Sequence, residues 1–197
     1  MQDIKTIKDL SKAVHEIRDT HAVNLIKLHN QYEKEELTYD ELKVLLLNEL
    51  YSCLEKIVAL TLKALKKLYK IKNNEVLKLE DLIYSEDGKT IEERLDSYYI
   101  EKKGLHAKTN LIRLIDTESE YEFSGVMEDK IDPELYPYFR VDNLDEDDCG
   151  CPAPGTIFPM SAEKPPYHPE CECTWEPLTQ EEYEKENLNW FFQKNML

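Results

Sequence analysis

TYDELKVLLLNELYSCLEKIVALTLKALKKLYKIK, residues 38–72, is the stretch that decides the fold class of this chain. Thr38-Tyr-Asp-Glu41 is a capping-box sequence, because a threonine and a glutamate three residues apart can satisfy the first free amide donors of a helix. The apolar face of this helix consists of Leu42, Leu46, Leu50, Leu54, Val58, Leu62, Leu65 and Tyr69, widened by Leu45, Ile57, Leu60 and Leu68. A face this broad must be buried on both flanks, so the pattern predicts a long helix that needs partners.

The residues on the N-terminal side of this stretch predict a partner helix. Residues 3–35 carry apolar side chains near helical spacing, and Glu33-Lys-Glu-Glu36 forms a polar break before the capping box. Two long helices joined by a short polar break are typical of an antiparallel helical hairpin, which we expect to span residues 1–74. Cys53 lies inside the second helix, where a cysteine behaves as a small core residue rather than a ligand.

The second half of the chain has a more mixed pattern. Two further capping boxes, Thr90-Ile-Glu-Glu93 and Thr179-Gln-Glu-Glu182, predict a short helix and a final helix that runs to about Lys194. Between them, residues 110–127 have the spacing of a third substantial helix, and Pro137-Tyr-Phe-Arg-Val141 is strand-like. The inward side of the third helix is predicted to carry Leu111, Leu114, Ile115, Tyr121 or Glu122, and Val126.

Together these elements predict a mainly α fold with a small β/loop C-terminal subdomain. The N-terminal antiparallel helical hairpin, residues 1–74, is followed by a cysteine-rich knuckle domain over residues 75–178. An amphipathic aromatic helix over residues 179–197 ends the chain, and its aromatic side chains either dock on a larger assembly or pack back on the parent domain. These side chains are Trp190, Phe191 and Phe192.

Charge is distributed unevenly along the chain, whose net charge is −16. Residues 1–74 carry 13 basic and 11 acidic side chains, whereas residues 75–197 carry 12 basic and 30 acidic ones. Because an acidic surface repels nucleic-acid phosphates, we expect no direct nucleic-acid binding by the C-terminal half. A protein partner is favoured instead, and the alternative is that the acidic excess only keeps the chain soluble.

The sequence offers no candidate for contact with a membrane. The most apolar run, residues 42–68, contains charged side chains such as Lys43, Glu55 and Lys63, which make it too polar for a membrane span. The N-terminal residues have charge every few positions and do not resemble a signal peptide. We therefore expect a protein that is made in the cytosol, where paired cysteines hold metal more often than they form disulfides.

A window of 25 residues holds four of the five cysteines and one histidine. Two close cysteine pairs joined by a loop can bring several thiolates to one point, as a soft metal ion requires. Each pair has one intervening residue where common zinc sites have two to four, but alternate residues of an extended segment share a face and can still converge. The candidate metal ligands are Cys149, Cys151, His168, Cys171 and Cys173.

The composition of this window favours a cross-link. It is rich in proline and has few large apolar side chains, so burial alone would not order it. A structural zinc ion contributes roughly 10–16 kcal/mol in small sites, which is enough to organise such a loop. Disulfides or plain reduced thiols are the alternatives to zinc, and His168 either binds the metal or hydrogen-bonds a backbone carbonyl that holds the loop.

A series of motifs runs from the third helix to the end of the cysteine window. Arg113-Leu-Ile-Asp-Thr117-Glu118 and Pro137-Tyr-Phe-Arg-Val141 are followed by Asp145-Glu-Asp-Asp148-Cys149-Gly-Cys151, by Gly155, and by Pro165-Pro-Tyr-His168-Pro-Glu-Cys171-Glu-Cys173-Thr-Trp-Glu-Pro177. In this order the motifs resemble the phage Mu F-like minor head protein family, also called phage head morphogenesis proteins, over about residues 85–178. The chain departs from the family in its first cysteine pair, which usually has two intervening residues, and at Glu172, where an arginine is usual.

The resemblance implies a structural virion protein of a tailed phage and no enzymatic activity. Such a minor capsid protein is located in the phage head, associates with the portal protein or the major capsid protein, and acts in head assembly or genome delivery. Arg113, Glu118 and Gly155 are expected to have structural roles. Arg113 would anchor an acidic loop, and Glu118 would bind backbone amides near the cysteine window.

Two other functions are kept as alternatives. A zinc-dependent adaptor or regulatory module would use the same cysteine window without being packaged in a particle. An ADP-ribosyltransferase-type effector is suggested by the paired glutamates Glu118-Ser-Glu120 and Glu120-Tyr-Glu122, because some head proteins of this type are fused to such enzymes. These pairs lie on a predicted helix, where residues two apart point in different directions and cannot hold one substrate together.

Overall fold

The computed structural model describes residues 4–69, 71, 89–97, 106–143, 151–167, 171 and 173–195, with side chains through residue 187. Within these residues the chain is mainly helical, with a small three-stranded antiparallel sheet and a cysteine cluster in its C-terminal region. This confirms the mainly α fold class and the small amount of β structure that the sequence predicted toward the C-terminal end. In chain order the elements are α1 (Ile7–Glu33), α2 (Tyr39–Leu68), α3 (Ile91–Leu95), α4 (Ala107–Lys130), β1 (Tyr138–Asn143), β2 (Ile157–Pro159), β3 (Cys173–Leu178) and α5 (Gln180–Asn195).

The helices begin where the capping boxes predicted. At the start of α2 the backbone N–H of Thr38 donates to the carboxylate of Glu41 over 2.8 Å, and the Glu41 N–H donates back to the threonine hydroxyl over 3.3 Å. Thr90 and Thr179 form the same reciprocal pairs with glutamates three residues later. A fourth box, which sequence reasoning missed, uses Thr6 with an aspartate at the start of α1.

The two long N-terminal helices pack along each other. Lys67, near the end of α2, donates to the carbonyl of Ile4 at the entrance to α1 over 2.9 Å. At the other end of the pair, the rings of Tyr32 and Tyr39 meet edge to face with their centroids 6.4 Å apart. The start of each helix therefore contacts the end of the other helix. Helix α4 then packs against both.

The broad apolar face of α2 lies in the core, as predicted. Leu45 is the exception among the residues that widen the face, because its side chain is 37% exposed. The same cluster of buried side chains continues through α4 and the sheet, so helices from both halves of the chain share one hydrophobic core. The fully buried members of the α2 face are Leu42, Leu46, Leu50, Leu54, Ile57 and Leu65.

The sheet has the strand order β2-β1-β3, so β1 is its central strand. The proline of β2, Pro159, pairs with Tyr138, and the proline of β3, Pro177, pairs with Phe139. Both prolines lie in edge strands. An edge strand has a neighbour on one side only, so the backbone N–H that proline lacks is tolerated there. Sequence patterning predicted β1 within two residues and did not predict β2 or β3. The three residues of β2 are too few to show an alternating pattern.

Two sets of side-chain contacts attach the sheet to its neighbours. The indole N–H of Trp175 in β3 donates to the hydroxyl of Ser124 in α4 over 3.2 Å, and that hydroxyl donates to the carbonyl of Pro165 over 2.5 Å. On the other side, Arg140 of β1 forms ion pairs with Glu176 of β3 and with Glu186 of α5. The sheet is therefore connected both to the helical core and to the final helix.

Helix α4 buries three acidic side chains that a helix surface would normally expose. Glu118, Glu120 and Glu122 are only 3%, 5% and 6% exposed. Glu118 lies 2.8 Å from Nη1 of Arg94 in α3, and Glu120 lies 2.7 Å from Nε2 of His15 in α1. Burial and, to a lesser extent, the negative charge of Glu118 raise the pKa of Glu122 to about 8.

Replacement of Glu122 by glutamine is expected to remove part of the pH dependence of folding stability. The pKa of Glu122 is raised from 4.5 to about 8 in the folded chain, so its neutral form stabilises the fold. That stability is complete below about pH 4.5 and is lost as the pH rises through about 8. From pH 5 to pH 9 the parent chain should lose about 2–4 kcal/mol more unfolding free energy than the glutamine variant.

Urea titrations at a series of pH values would measure this difference. Glu128→Gln provides a matched control, because Glu128 lies on the same helix but is exposed, and its pH profile should follow that of the parent chain. Parallel profiles for the parent and Glu122→Gln would show that Glu122 is ionised in the folded protein.

Candidate metal centre

The cysteine window has two arms, one that follows Cys151 and one that leads from Cys171 into β3. Both arms are attached to the same strand, β1. Cys173 opens β3 and lies opposite Asn143 of β1, and Cys171 precedes it by two residues. On the other arm, the loop that follows Cys151 is bound to Val141 of β1. The N–H of Gly155 donates to the Val141 carbonyl over 2.8 Å, and the Val141 N–H donates to the Thr156 carbonyl over 2.9 Å. Strand β1 therefore brings together cysteines that are 20 residues apart in the chain.

Three sulfur atoms converge at this point. The Sγ atoms of Cys151, Cys171 and Cys173 all lie within 4.8 Å of one another, and those of Cys151 and Cys171 are 3.7 Å apart. All three cysteines are free, since a disulfide requires a separation near 2.05 Å. Cys171 and Cys173 are buried and Cys151 is half-buried. The three side chains are close enough to bind one metal ion.

The predicted ligands Cys149 and His168 lie outside the described residues. They directly flank the described cluster, because Cys149 precedes Cys151 by two residues and His168 precedes Cys171 by three. Either residue would supply a fourth ligand atom, a sulfur from Cys149 or a ring nitrogen from His168. Three of the five candidate ligands are thus brought together, and the contribution of the other two stays a prediction.

The remaining cysteine has a different environment. Cys53 is buried in α2, and its sulfur lies 3.8 Å from the hydroxyl of Ser119 in α4. Burial raises the pKa of the Cys53 thiol to about 11, so this thiol stays protonated and unreactive at neutral pH. The prediction that Cys53 is a core residue is confirmed.

Two of the three cysteines are part of the hydrophobic core, and the third packs against it. Cys171 and Cys173 belong to the hydrophobic core, and Phe158, Met160 and Tyr167 pack against it. The hydroxyl of Tyr167 is buried and has no hydrogen-bond partner among the described residues. Burial, together with smaller effects of nearby negative charges, raises the pKa of Tyr167 to about 12. Sequence reasoning counted Tyr167 only as an apolar residue of the window.

The predicted structural residues outside the cluster have distinct positions. Gly155 has a φ of +85°, which strains any residue with a Cβ atom, so the turn after Cys151 requires glycine. Arg113 lies on the exposed side of α4. Glu118 contacts a guanidinium, that of Arg94 in α3, whereas sequence reasoning expected backbone amides near the cysteine window. The side chains of the aromatic trio, Trp190, Phe191 and Phe192, lie outside the described residues.

Comparisons with protein-family models, curated proteins and solved structures find no match for this chain. The resemblance to phage head morphogenesis proteins therefore stays a prediction that depends on the motifs alone. Within the described ranges, no helix combines the length and apolar composition that a membrane span requires.

Proposed function

We propose that the cysteine cluster is a structural zinc site. Sulfur atoms at the usual Zn–S distance of about 2.3 Å, at the corners of a tetrahedron, are about 3.8 Å apart. The separation of 3.7 Å between the sulfurs of Cys151 and Cys171 fits one edge of that tetrahedron. Thiolates select soft or borderline metals, of which zinc is the common structural choice in a site closed by four protein ligands. Cys149 or His168 would supply the fourth ligand.

Zinc would stabilise the connection between the two arms of the window. The arms are attached to β1 by backbone hydrogen bonds on either side, and the metal would join their free ends. Because the sheet itself has only three short strands, such a cross-link would contribute a large part of its stability. Two of the three cysteines are buried in the core, and a fourth ligand from Cys149 or His168 would close the site, which favours a structural over a catalytic role for the metal.

We further propose that the chain is a structural protein of a tailed-phage head, of the minor head protein class. The observation that carries this proposal is the position of the described parts of the two cysteine-bearing motifs on either side of the strand motif. Arg113–Glu118 lies in α4, residues 137–141 lead into and form β1, and the two cysteine-bearing arms lie on either side of β1. Segments that are separate in the sequence thus belong to one structural unit, as expected if they are parts of one family domain.

The arrangement of the glutamates favours this structural role over an ADP-ribosyltransferase. Two glutamates that hold one substrate must converge on it, but Glu118 faces Arg94 of α3 and Glu120 faces His15 of α1. Both carboxylates are buried in contacts between helices. Their positions indicate that they contribute to packing.

The surfaces proposed for docking are the N-terminal helices, in an antiparallel hairpin, and the final helix. Helix α5 is attached to the sheet through the pairing of Glu186 with Arg140 and the stacking of Tyr183 on Tyr138, with ring centroids 3.9 Å apart. The aromatic residues Trp190, Phe191 and Phe192 follow on the same helix. We propose that they contact the portal protein or the major capsid protein of the head.

Mass spectrometry of purified particles from the phage that encodes this chain would test the proposed function. The chain should copurify with the head, and Trp190→Ala should reduce its copy number at least several-fold. Lys185→Ala, an exposed change on the same helix, should leave the copy number unchanged. A chain that is expressed in the host but absent from particles would contradict the virion role and favour the adaptor or regulatory module.

A further inference from the structure

We propose that a pocket between α1 and α2 binds a small monocarboxylate with an apolar body, and that the ammonium group of Lys56 binds the carboxylate. This inference goes beyond the proposed function and does not depend on it. The pocket lies in the helical part of the chain, and no cysteine of the metal cluster lines it.

The apolar side of the pocket would hold the body of the ligand. The pocket has a volume of about 350 Å³, near the lower end of the range of about 300–1,000 Å³ that is usual for small-molecule sites. Ile4 and Ala13 line it as buried residues, whereas Ile17 and Leu60 line it half-buried. Because burial of apolar surface is favourable, a ligand that covers Ile17 and Leu60 gains affinity from its own apolar body.

Lys56 supplies a positive charge without an acidic partner. Its Nζ atom lies 2.9 Å from Nε2 of His21, and since an ammonium group can only donate, this ring nitrogen is the acceptor. No carboxylate of the described residues forms an ion pair with Lys56, whereas Lys43 on the same helix pairs with Glu92 and Asp96. An ammonium group has three donors, so two of them remain for a ligand.

His21 determines where this charge is placed. The histidine is 3% exposed, and its Nδ1 atom lies 2.7 Å from the carboxylate of Glu49. Glu49 also accepts a hydrogen bond from the side-chain amide of Asn24 over 2.7 Å. Contacts from both helices therefore hold the ring that holds the ammonium group. A binding group that is already held in place loses less conformational entropy when the ligand binds.

The pocket also limits the charge of its ligand. Glu16 lines the pocket from α1 and is exposed at its edge. A ligand with a second carboxylate would bring that group near Glu16, and like charges that face each other weaken binding. One cation without an acidic partner, one acidic neighbour and an apolar wall together fit a ligand with a single carboxylate.

A titration of the full chain with octanoate tests the inference. Isotope-labelled protein would be followed by NMR, and the methyl signals of Ile4, Ile17 and Leu60 should shift with one-to-one saturation. Octanamide has the same apolar body without the charge, so it should bind about 10- to 100-fold more weakly, as expected for the loss of a hydrogen-bonded ion pair. Octanedioate, which carries a second carboxylate, should also bind more weakly than octanoate.

Lys56→Met should weaken octanoate binding by the same factor of about 10- to 100-fold, because it removes the charge and keeps most of the side-chain volume. Lys66→Met is the matched control, since Lys66 is an exposed lysine of α2 that does not line the pocket. The control should bind octanoate within twofold of the parent chain. The comparison of octanoate with octanamide uses the parent chain alone, so it remains decisive if Lys56→Met does not fold.

Three results would overturn the inference. The first is the absence of saturable shifts up to the concentration at which octanoate forms micelles. The second is an equal affinity for octanoate and octanamide, or for Lys56→Met and Lys66→Met. The third is saturation with shifts at residues outside the pocket. None of these results bears on zinc binding or on the presence of the chain in particles, so the proposed function stands or fails separately.

Discussion

Replacement of Cys171 by alanine is expected to weaken zinc binding so far that a mild chelator removes a metal that the parent chain keeps. The sulfur of Cys171 is fully buried at the centre of the cluster, 3.7 Å from that of Cys151. If four ligands share a binding free energy of about 10–16 kcal/mol, one ligand contributes about 3 kcal/mol, which corresponds to about a 100-fold weaker affinity. The purified variant should contain well under one zinc per chain after dialysis against a mild chelator, as measured by elemental analysis.

The fold should respond together with the metal. In addition to their hydrogen bonds to β1, the two arms of the window would be joined by the metal. The zinc-free variant should therefore lose near-ultraviolet circular dichroism from Trp175, which is buried in β3. The α2–α4 core should remain helical, because its buried side chains do not depend on the cysteine window.

Cys53→Ala is the matched control for this experiment. It removes a buried cysteine from α2, where the sulfur contacts Ser119 and lies outside the cluster. The control should keep one zinc per chain and lose only about 1 kcal/mol of unfolding free energy through the small cavity it creates. Equal zinc contents in Cys171→Ala and Cys53→Ala would exclude a metal at this cluster and leave reduced thiols as the interpretation.

Replacement of Arg94 by methionine is expected to be the most destabilising change in the helical core. Arg94 is 5% exposed, and its guanidinium lies 2.8 Å from the carboxylate of Glu118, which is 3% exposed. Glu122 is buried nearby and is influenced by the charges of both residues. Removing one partner of a buried ion pair leaves an uncompensated charge and typically destabilises a protein by about 3–5 kcal/mol. Urea unfolding followed by circular dichroism would measure the loss.

A second substitution distinguishes the charge from the packing of the arginine. Arg94→Met combined with Glu118→Gln removes both charges, so most of the lost stability should return. Lys43→Met is the control at a half-buried pair, with the lysine side chain 24% exposed. Its ammonium group pairs with Glu92 and Asp96 of the same α3 region at the surface, and its loss should have a much smaller effect. A double variant as unstable as Arg94→Met would show that the loss comes from packing.

The cysteine cluster and the Arg94–Glu118 pair stabilise different parts of the protein. In the helical part, α1, α2, α3 and α4 are held by apolar packing, by the buried ion pair of Arg94 with Glu118, and by the contact of Glu120 with His15. In the C-terminal part, three short strands and the proposed metal connect the two arms of the cysteine window. Removal of the metal should therefore alter the sheet first, whereas loss of Arg94 should alter the packing of the helices.

Local sequence signals were sufficient to predict the helices. The capping boxes at Thr38, Thr90 and Thr179 form as predicted, because each involves residues only three positions apart. Helix α4 extends three residues beyond the predicted 110–127 at each end. Its inward side is also confirmed, since the predicted apolar residues are buried and, of the two alternatives, Glu122 is buried and Tyr121 only half-buried.

The buried acids of α4 could not be recognised from the sequence. Acidic residues at alternating positions in a helix normally indicate a solvent-exposed face. Their burial depends on Arg94 and His15, which lie 24 and more than 100 residues away in the chain. The signal in retrospect was a pair of basic residues at inward positions of α1 and α3, but no spacing rule links these residues to particular glutamates.

The order of residues along the chain determined where the helices begin and which cysteines form close pairs that could bind a metal, because both depend on neighbours a few positions apart. Tertiary structure alone decided that Cys151 and Cys171 lie 3.7 Å apart, that β2 and β3 flank β1, and that the Tyr167 hydroxyl is buried. Each of these depends on strand pairing and burial, which join residues distant in sequence and are specified by the packing of the whole core.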